Sequence, residues 1–255
     1  MDLRLPVAGL DLYKSGAQRA RIATELWGAA NLYCPSCTSP SISPLAHNTP
    51  AIDYRCGVCK SSFQLKSQSK KLGKKIVDSA YSTMKLAIVE DRTPNLYVLH
   101  YDLLEWVVRT VILVPRFAFA LSAIECRKPL APTARRAGWV GCNILLDRIP
   151  TDARILIVQE RQPRPASEVR RAYDRVRPLQ ELSTEMRGWT LDVLHAVRSL
   201  DRTEFSLSDV YAQADALASL HPQNFHIRDK IRQQLQILRD LGFVEFLGRG
   251  NYRWR

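Results

Sequence analysis

Residues 34–66 decide how this chain is read: Cys34-Pro-Ser-Cys37, eighteen residues, then Cys56-Gly-Val-Cys59, with Asp53 just ahead of the second pair and Gln64-Leu-Lys66 just behind it. Two CxxC pairs at this separation match a four-thiolate zinc site, because each pair can fold into a tight knuckle that offers two sulfurs to one tetrahedron. Thiols that are merely buried or unpaired are the competing reading. With zinc, the second pair becomes the turn of a hairpin whose arms are the strand-like stretches 51–55 and 62–66.

Side chains alternate along a strand, so Gln64 and Lys66 share one face while Phe63 and Leu65 take the other. A turn centred between Val58 and Lys60 sets Asp53 opposite Lys66. An aspartate across a hairpin from an x-Leu-Lys tripeptide is the arrangement of PD-(D/E)xK nucleases, in which acidic residues hold Mg²⁺ and the lysine orients or activates the attacking water. A surface ion pair is the bland alternative for these residues.

With 255 residues the chain holds one large domain or two ordinary ones. Its 46% apolar and 24% charged residues are those of a folded protein. There is no apolar run near the length of a membrane span. The N-terminal stretch is too polar for a signal peptide. Cys126 and Cys142 are expected to be core thiols, in keeping with a reducing cytoplasm. The net charge of +12 calls for a polyanionic partner. It is carried by residues 1–182, with 27 Lys and Arg against 16 Asp and Glu; residues 183–255 have 10 against 9.

In chain order, residues 15–27 read as a first helix, with Glu25 placed either to face a metal or to lie on a solvated surface. Residues 38–50 read as a loop. Lys66, Lys70, Lys71, Lys74 and Lys75 follow with Ser and Gly between them, as a mobile loop or as one that tracks phosphates. Residues 76–90 carry a helical spacing through Ile76, Ala80, Met84, Ala87 and Ile88. Residues 96–101, 107–114 and 155–158 are strands. The result is an α/β core. Residues 127–143 (RKPLAPTARRAGWVGCN) have no amphipathic period and form a loop or arm. There Arg135, Arg136 and Trp139 suit phosphates and a base edge or methyl group, or else Trp139 anchors the loop.

A boundary is expected near 182–187, giving domains 1–183 and 184–255. The second reads as a winged helix: a helix from Trp189, a second opened by a Ser206 cap, a third over 224–241, and a hairpin turning at Gly248-Arg-Gly-Asn251. On the third helix Arg228, Arg232, Gln233, Gln236 and Arg239 lie off the apolar stripe. Arginine pairs with guanine and glutamine with adenine in the major groove. Asn224, His226 and Arg249 complete the expected DNA-facing set, and protein–protein docking is the other use of this module.

Taken together, RKPLAPTARRAGWVGCNI, KIRQQLQILRD, GRGNYR and the CPSC…CGVC…QLK block resemble the DpnI restriction endonuclease family along essentially the whole chain. The resemblance implies a zinc-containing PD-(D/E)xK catalytic domain followed by a winged helix, cutting double-stranded DNA with Mg²⁺ at GATC sites whose adenines carry N6-methyl groups. It places zinc on Cys34, Cys37, Cys56 and Cys59, the metal-binding aspartate on Asp53, the active-site lysine on Lys66 and the methyl-proximal tryptophan on Trp139. The second acidic ligand falls on Gln64, whose amide oxygen can face Mg²⁺ but brings no charge. Glu25 is a further candidate ligand. A monomeric cytoplasmic enzyme is expected. The alternative is a methyl-DNA-binding regulator with weak or no chemistry.

Overall fold

A computed structural model describes residues 1–46, 49 and 51–255. The expected loop at 38–50 therefore lies partly outside the described residues, and its described part includes a short strand, β1 (Ser43–Pro44). The chain opens with α1 (Gly16–Asn31), then β1, β2 (Tyr54–Arg55), β3 (Ser62–Gln68), β4 (Lys75–Ala80), α2 (Tyr81–Val89), β5 (Asn95–Asp102), β6 (Val107–Val114), β7 (Ile124–Cys126), β8 (Gly141–Leu145), β9 (Ile155–Gln159), β10 (Gln162–Pro163) and α3 (Ala166–Val176). The winged helix follows as α4 (Thr184–Arg198), β11 (Glu204–Ser206), α5 (Leu207–Tyr211), α6 (Ala214–Leu220), α7 (Ile227–Asp240), β12 (Val244–Gly248) and β13 (Asn251–Trp254).

The main sheet runs β1-β2-β3-β5-β6-β9-β10, antiparallel except where β3 pairs with β5. Its central strand β5 is buried on both faces. Tyr97 and Leu99 enter one apolar cluster, with Trp27 of α1 and Val169 of α3, while Leu96 and Val98 enter a second with Met84 and Ile88 of α2. That period-two split is what a near-continuous apolar run predicts for a strand covered on both sides. A smaller antiparallel sheet, β4-β8-β7, closes the second cluster.

Helix α1 approaches the hairpin closely because Gly28 has no side chain. A Cβ there would stand 2.5 Å from the Tyr54 hydroxyl, which instead donates to the Glu25 carbonyl at 2.8 Å. This contact sets the face of α1 that carries Glu25 beside the strand that follows Asp53.

The stretch 76–90 is not the one helix expected from its spacing, since β4 occupies 75–80 and α2 begins only at Tyr81. Cys126 is exposed rather than in the core, whereas Cys142, its cross-strand neighbour, is buried. Among the described residues no helix is long and apolar enough to cross a membrane.

In the C-terminal part, Ser206 caps α5 through a reciprocal box with Asp209. The expected second helix is split into α5 and α6, and the third starts at Ile227 rather than 224. The two parts of the chain meet through polar pairs. Arg187 of α4 binds Asp91, which also holds Arg116 at 3.1 Å. Arg198 Nε donates to Asp152 Oδ2 at 2.7 Å, and Ser122 hydrogen-bonds Asp192.

Candidate active site

Four sulfurs gather where α1 ends and the hairpin turns. Cys34 and Cys59 Sγ lie 3.5 Å apart, Cys37 and Cys56 Sγ 3.6 Å apart, and all four fall within 4.8 Å of one another. A tetrahedral zinc with bonds of about 2.3 Å needs sulfurs about 3.8 Å apart, so this cluster fits one. The knuckle at Cys56–Cys59 is shaped by backbone bonds from Lys60 N to Cys56 O (3.1 Å) and from Cys56 N to Ser61 O (2.9 Å), with Lys60 at φ 62°. Helix α3 and the residue that follows it hold the other knuckle: Arg170 donates to the Cys34 and Ser39 carbonyls, and Arg177 to that of Ser36. Burial raises the Cys34 thiol well above its usual value. For Cys59, burial also raises it, but the Ser36 and Ser61 hydroxyls outweigh this and bring it down to about 6. A thiolate is the form that binds metal.

The hairpin that the cysteines pin aligns Tyr54 with Phe63 and Arg55 with Ser62. Asp53 precedes this pairing by one residue and bonds Phe63 through its N–H, which sets it beside Phe63 and Gln64 and not opposite Lys66 as expected. The centre of the turn lies one residue nearer the N-terminus, which moves the pairing by two. A two-residue slip keeps every side chain on its own face, so Asp53, Gln64 and Lys66 still converge. Asp53 N donates to Phe63 O at 2.8 Å, and Asp53 Oδ2 accepts from Leu65 N at 2.7 Å. Burial holds the Asp53 carboxyl above its ordinary value, against the pull of that N–H and of Lys66 and Arg21.

A fourth residue stands with them that the sequence did not reveal. Asp78 of β4 is buried, its carboxylate 2.7 Å from Lys66 Nζ and 3.4 Å from Gln64 Nε2. The signal was present as an alternation, Ile76 and Asp78 facing inward on β4, but it was masked by the apparent helical spacing that runs through it. With its amide nitrogen turned to Asp78, Gln64 keeps its oxygen for a cation. Asp53 and Gln64 thus form an all-oxygen donor pair, which suits a hard ion such as Mg²⁺, with one carboxylate fewer than an Asp–Glu pair. Among the described residues, only the four cysteines form a cluster of three or more His, Cys, Asp or Glu at metal-binding separations.

These side chains open into a cleft of about 1010 Å³ whose wall includes Glu25, Arg21 and the lysines 66, 70, 71, 74 and 75. Glu25 pairs with Arg21 at 3.5 Å and is about one-third exposed. The lysine loop is ordered by Gln68 Nε2, which donates to the Lys70 and Lys71 carbonyls at 2.9 and 3.1 Å.

The arm between β7 and β8 is compact. Leu130 N bonds Trp139 O, Gly138 N bonds Leu130 O, and Trp139 lies over Gly141, where a Cβ would stand 2.9 Å from the indole. The Arg136 guanidinium sits 4.9 Å from the indole centre, and Arg135 is exposed. On the winged helix, Arg228 and Arg232 lie over Tyr211 at 5.3 and 5.6 Å, Gln233 is exposed, and Arg249 projects from the wing turn at φ 51°. Gln234, one residue on, is instead buried, accepting from Thr190 at 2.7 Å. Asn224 Oδ1 accepts from His226 N at 2.8 Å just ahead of α7.

Family models match the sequence over most of its length. The model described as DpnI, Dam-replacing family matches residues 1–182, and the one described as DpnI_C, Dam-replacing HTH domain, matches 185–254. The two matches take in nearly every residue, including the thiolate cluster, the Asp53–Gln64–Lys66 cleft and the α7 surface: the chain belongs to the DpnI, Dam-replacing family.

Proposed function

We propose that this chain is a methylation-dependent type II restriction endonuclease that hydrolyses double-stranded DNA at GATC sites carrying N6-methyladenine. Residues 1–183 act as the catalytic domain and 184–255 as the winged helix, in a monomeric, cytoplasmic enzyme. The observation that carries the reading is the convergence of Asp53, Gln64 and Lys66 in a lysine-walled cleft, in a chain of this family.

Asp53 and Gln64 hold Mg²⁺ through side-chain oxygens, with Glu25 at hand on the cleft wall; the ion, when bound, neutralises charge at the scissile phosphate. Lys66 orients the attacking water. Asp78 holds the Lys66 ammonium in place. Lys70 and Lys71 track the backbone of the DNA beside the cleft. The four cysteines bind a structural zinc, which fixes the hairpin and with it the spacing of Asp53 and Lys66. Arg135, Arg136 and Trp139 of the arm contact phosphates and a methylated adenine, while Asn224, His226, Arg228, Arg232, Gln233 and Arg249 read the site from the second domain. In GATC the two adenines occupy adjacent base pairs, about 3.4 Å apart along the axis, so both methyl groups lie close together in the major groove.

Incubation of the purified protein and Mg²⁺ with adenine-methylated and unmethylated preparations of one plasmid tests the reading. Discrete fragments from the methylated preparation alone are expected; an intact methylated plasmid together with retained binding would favour the non-cutting reader.

A further inference from the structure

Phe225 is 88% exposed, and it is the most exposed aromatic residue among those described. It lies two residues ahead of α7, between Asn224 and His226, and it belongs to neither apolar cluster. A phenyl ring in water is unfavourable by the apolar area it leaves wet, and packing among the described residues leaves most of this ring uncovered. Its backbone is nevertheless held: Asn224 N bonds His221 O at 3.0 Å and Asn224 Oδ1 accepts from His226 N at 2.8 Å.

The surroundings specify the occupant. Arg228 and Arg232 project from the first turns of the same helix, so the surface suits a polyanion. A phenyl ring makes no hydrogen bond to phosphate, and the apolar surface it matches in the major groove is that of a base or a base methyl group. In helix-turn-helix modules the residues at the N-terminal end of the recognition helix reach base edges in the major groove, where the N6 position of adenine lies.

We infer that Phe225 is a specificity residue that covers the N6-methyl groups of adenine in the major groove, an inference that rests on the methyl-dependent reading above. Trp139, the aromatic assigned to the methyl groups from sequence, is half-buried over Gly141 with Arg136 near its ring. Phe225 has more free apolar surface. One ring can span methyl groups on neighbouring base pairs, and each methyl taken out of water favours the complex by roughly fourfold.

The test is equilibrium binding of the full chain, without added divalent cation, to duplexes with one GATC site methylated on both strands, one strand or neither. Wild type is expected to favour the doubly methylated duplex. Phe225→Ala should lower that preference by roughly tenfold while leaving affinity for the unmethylated duplex unchanged, and Phe225→Leu should retain most of the preference. Because the side chain is exposed, both variants should melt with wild type. A wild-type protein without preference would overturn the methyl-dependent reading and this inference together. A wild-type preference that Phe225→Ala leaves intact would overturn the inference alone. Equal weakening on all three duplexes would also overturn it, since that result fits contact with a feature they share, such as the thymine methyl.

Discussion

Replacing Asp78 by asparagine should silence cleavage while leaving a folded, DNA-binding protein. The substitution keeps the shape of the side chain, so it leaves no cavity, but it removes the charge. The Asp78 side chain is 2% exposed and that of Lys66 25% exposed, with 2.7 Å between carboxylate oxygen and ammonium. A hydrogen bond to a charged group contributes about 1.5–3 kcal/mol. Removing one partner of a fully buried pair costs about 3–5 kcal/mol. Lys66 keeps part of its water, so the expected loss is near the smaller figure, about 2 kcal/mol. At about 2–4 °C per kcal/mol for a chain of this size, the melting temperature should fall by about 4–8 °C. The rate should suffer far more. Lys66 no longer has a fixed direction, and a misplaced group for proton handling costs about 10²–10⁴-fold. Single-turnover cleavage of a methylated duplex, thermal unfolding and duplex binding, measured on the same preparations, separate these effects. A variant that cuts at the wild-type rate would show that Asp78 does not hold Lys66 for the proposed reaction, and would leave the two as an ordinary buried ion pair.

Cys56→Ser should reduce bound zinc to well below one per chain and unfold the hairpin, because metal binding here is folding energy; full zinc content by elemental analysis would contradict the site. Gln64→Glu should lower the Mg²⁺ concentration for half-maximal cleavage without changing the preference for methylated DNA, since the added charge strengthens the cation site alone; an unchanged Mg²⁺ dependence would remove Gln64 from the ligand set. Arg232→Ala should weaken duplex binding by about 1–3 kcal/mol if its guanidinium pairs bidentately with a base, which a titration at fixed salt measures. Burial, aided by Arg148, holds His195 below its ordinary value. On acidification the unfolded chain therefore takes up a proton first, so stability is full above about pH 6.5 and declines below it. The melting temperature of His195→Gln should fall less steeply than wild type between about pH 7 and pH 5, and parallel curves would exclude His195 as the cause.

Much of this molecule could be read from the sequence because its strongest constraints are local. The CxxC spacing brings four thiols together, and alternation forces Gln64 and Lys66 onto one face whatever the register. The winged helix was legible from the apolar stripe of α7, the Ser206–Asp209 cap and the Gly-Arg-Gly turn. What was missed depended on tertiary pairing. In β4, Ile76 and Asp78 point inward with period two, but Ala80, Met84 and Ile88 continue the apolar spacing into α2, so strand and helix merge into one apparent helix. Asp78 was lost with the strand. The hairpin register depended on how many residues the knuckle consumes, which is set by backbone bonds from Cys56 to Lys60 and Ser61 rather than by side-chain pattern. Cys126 looked interior for its apolar neighbours, yet it ends a three-residue strand at the surface. The helical pattern also ran through Asn224, Phe225 and His226, where the chain is instead held by side-chain and turn bonds ahead of α7.

Cleavage of DNA in the Asp53–Gln64–Lys66 cleft is proposed to occur only where adenine is methylated. This proposal is tested most directly with a duplex bearing a single GATC site, methylated on both strands or on neither, incubated with Mg²⁺ and either wild type or Asp53→Ala, with the products mapped at nucleotide resolution. Wild type is expected to cleave the methylated duplex at its GATC site and to leave the unmethylated duplex intact, while Asp53→Ala is expected to cleave neither even though it still binds the methylated duplex. Cleavage of the methylated duplex by Asp53→Ala, or equal cutting of both duplexes by wild type, would contradict it.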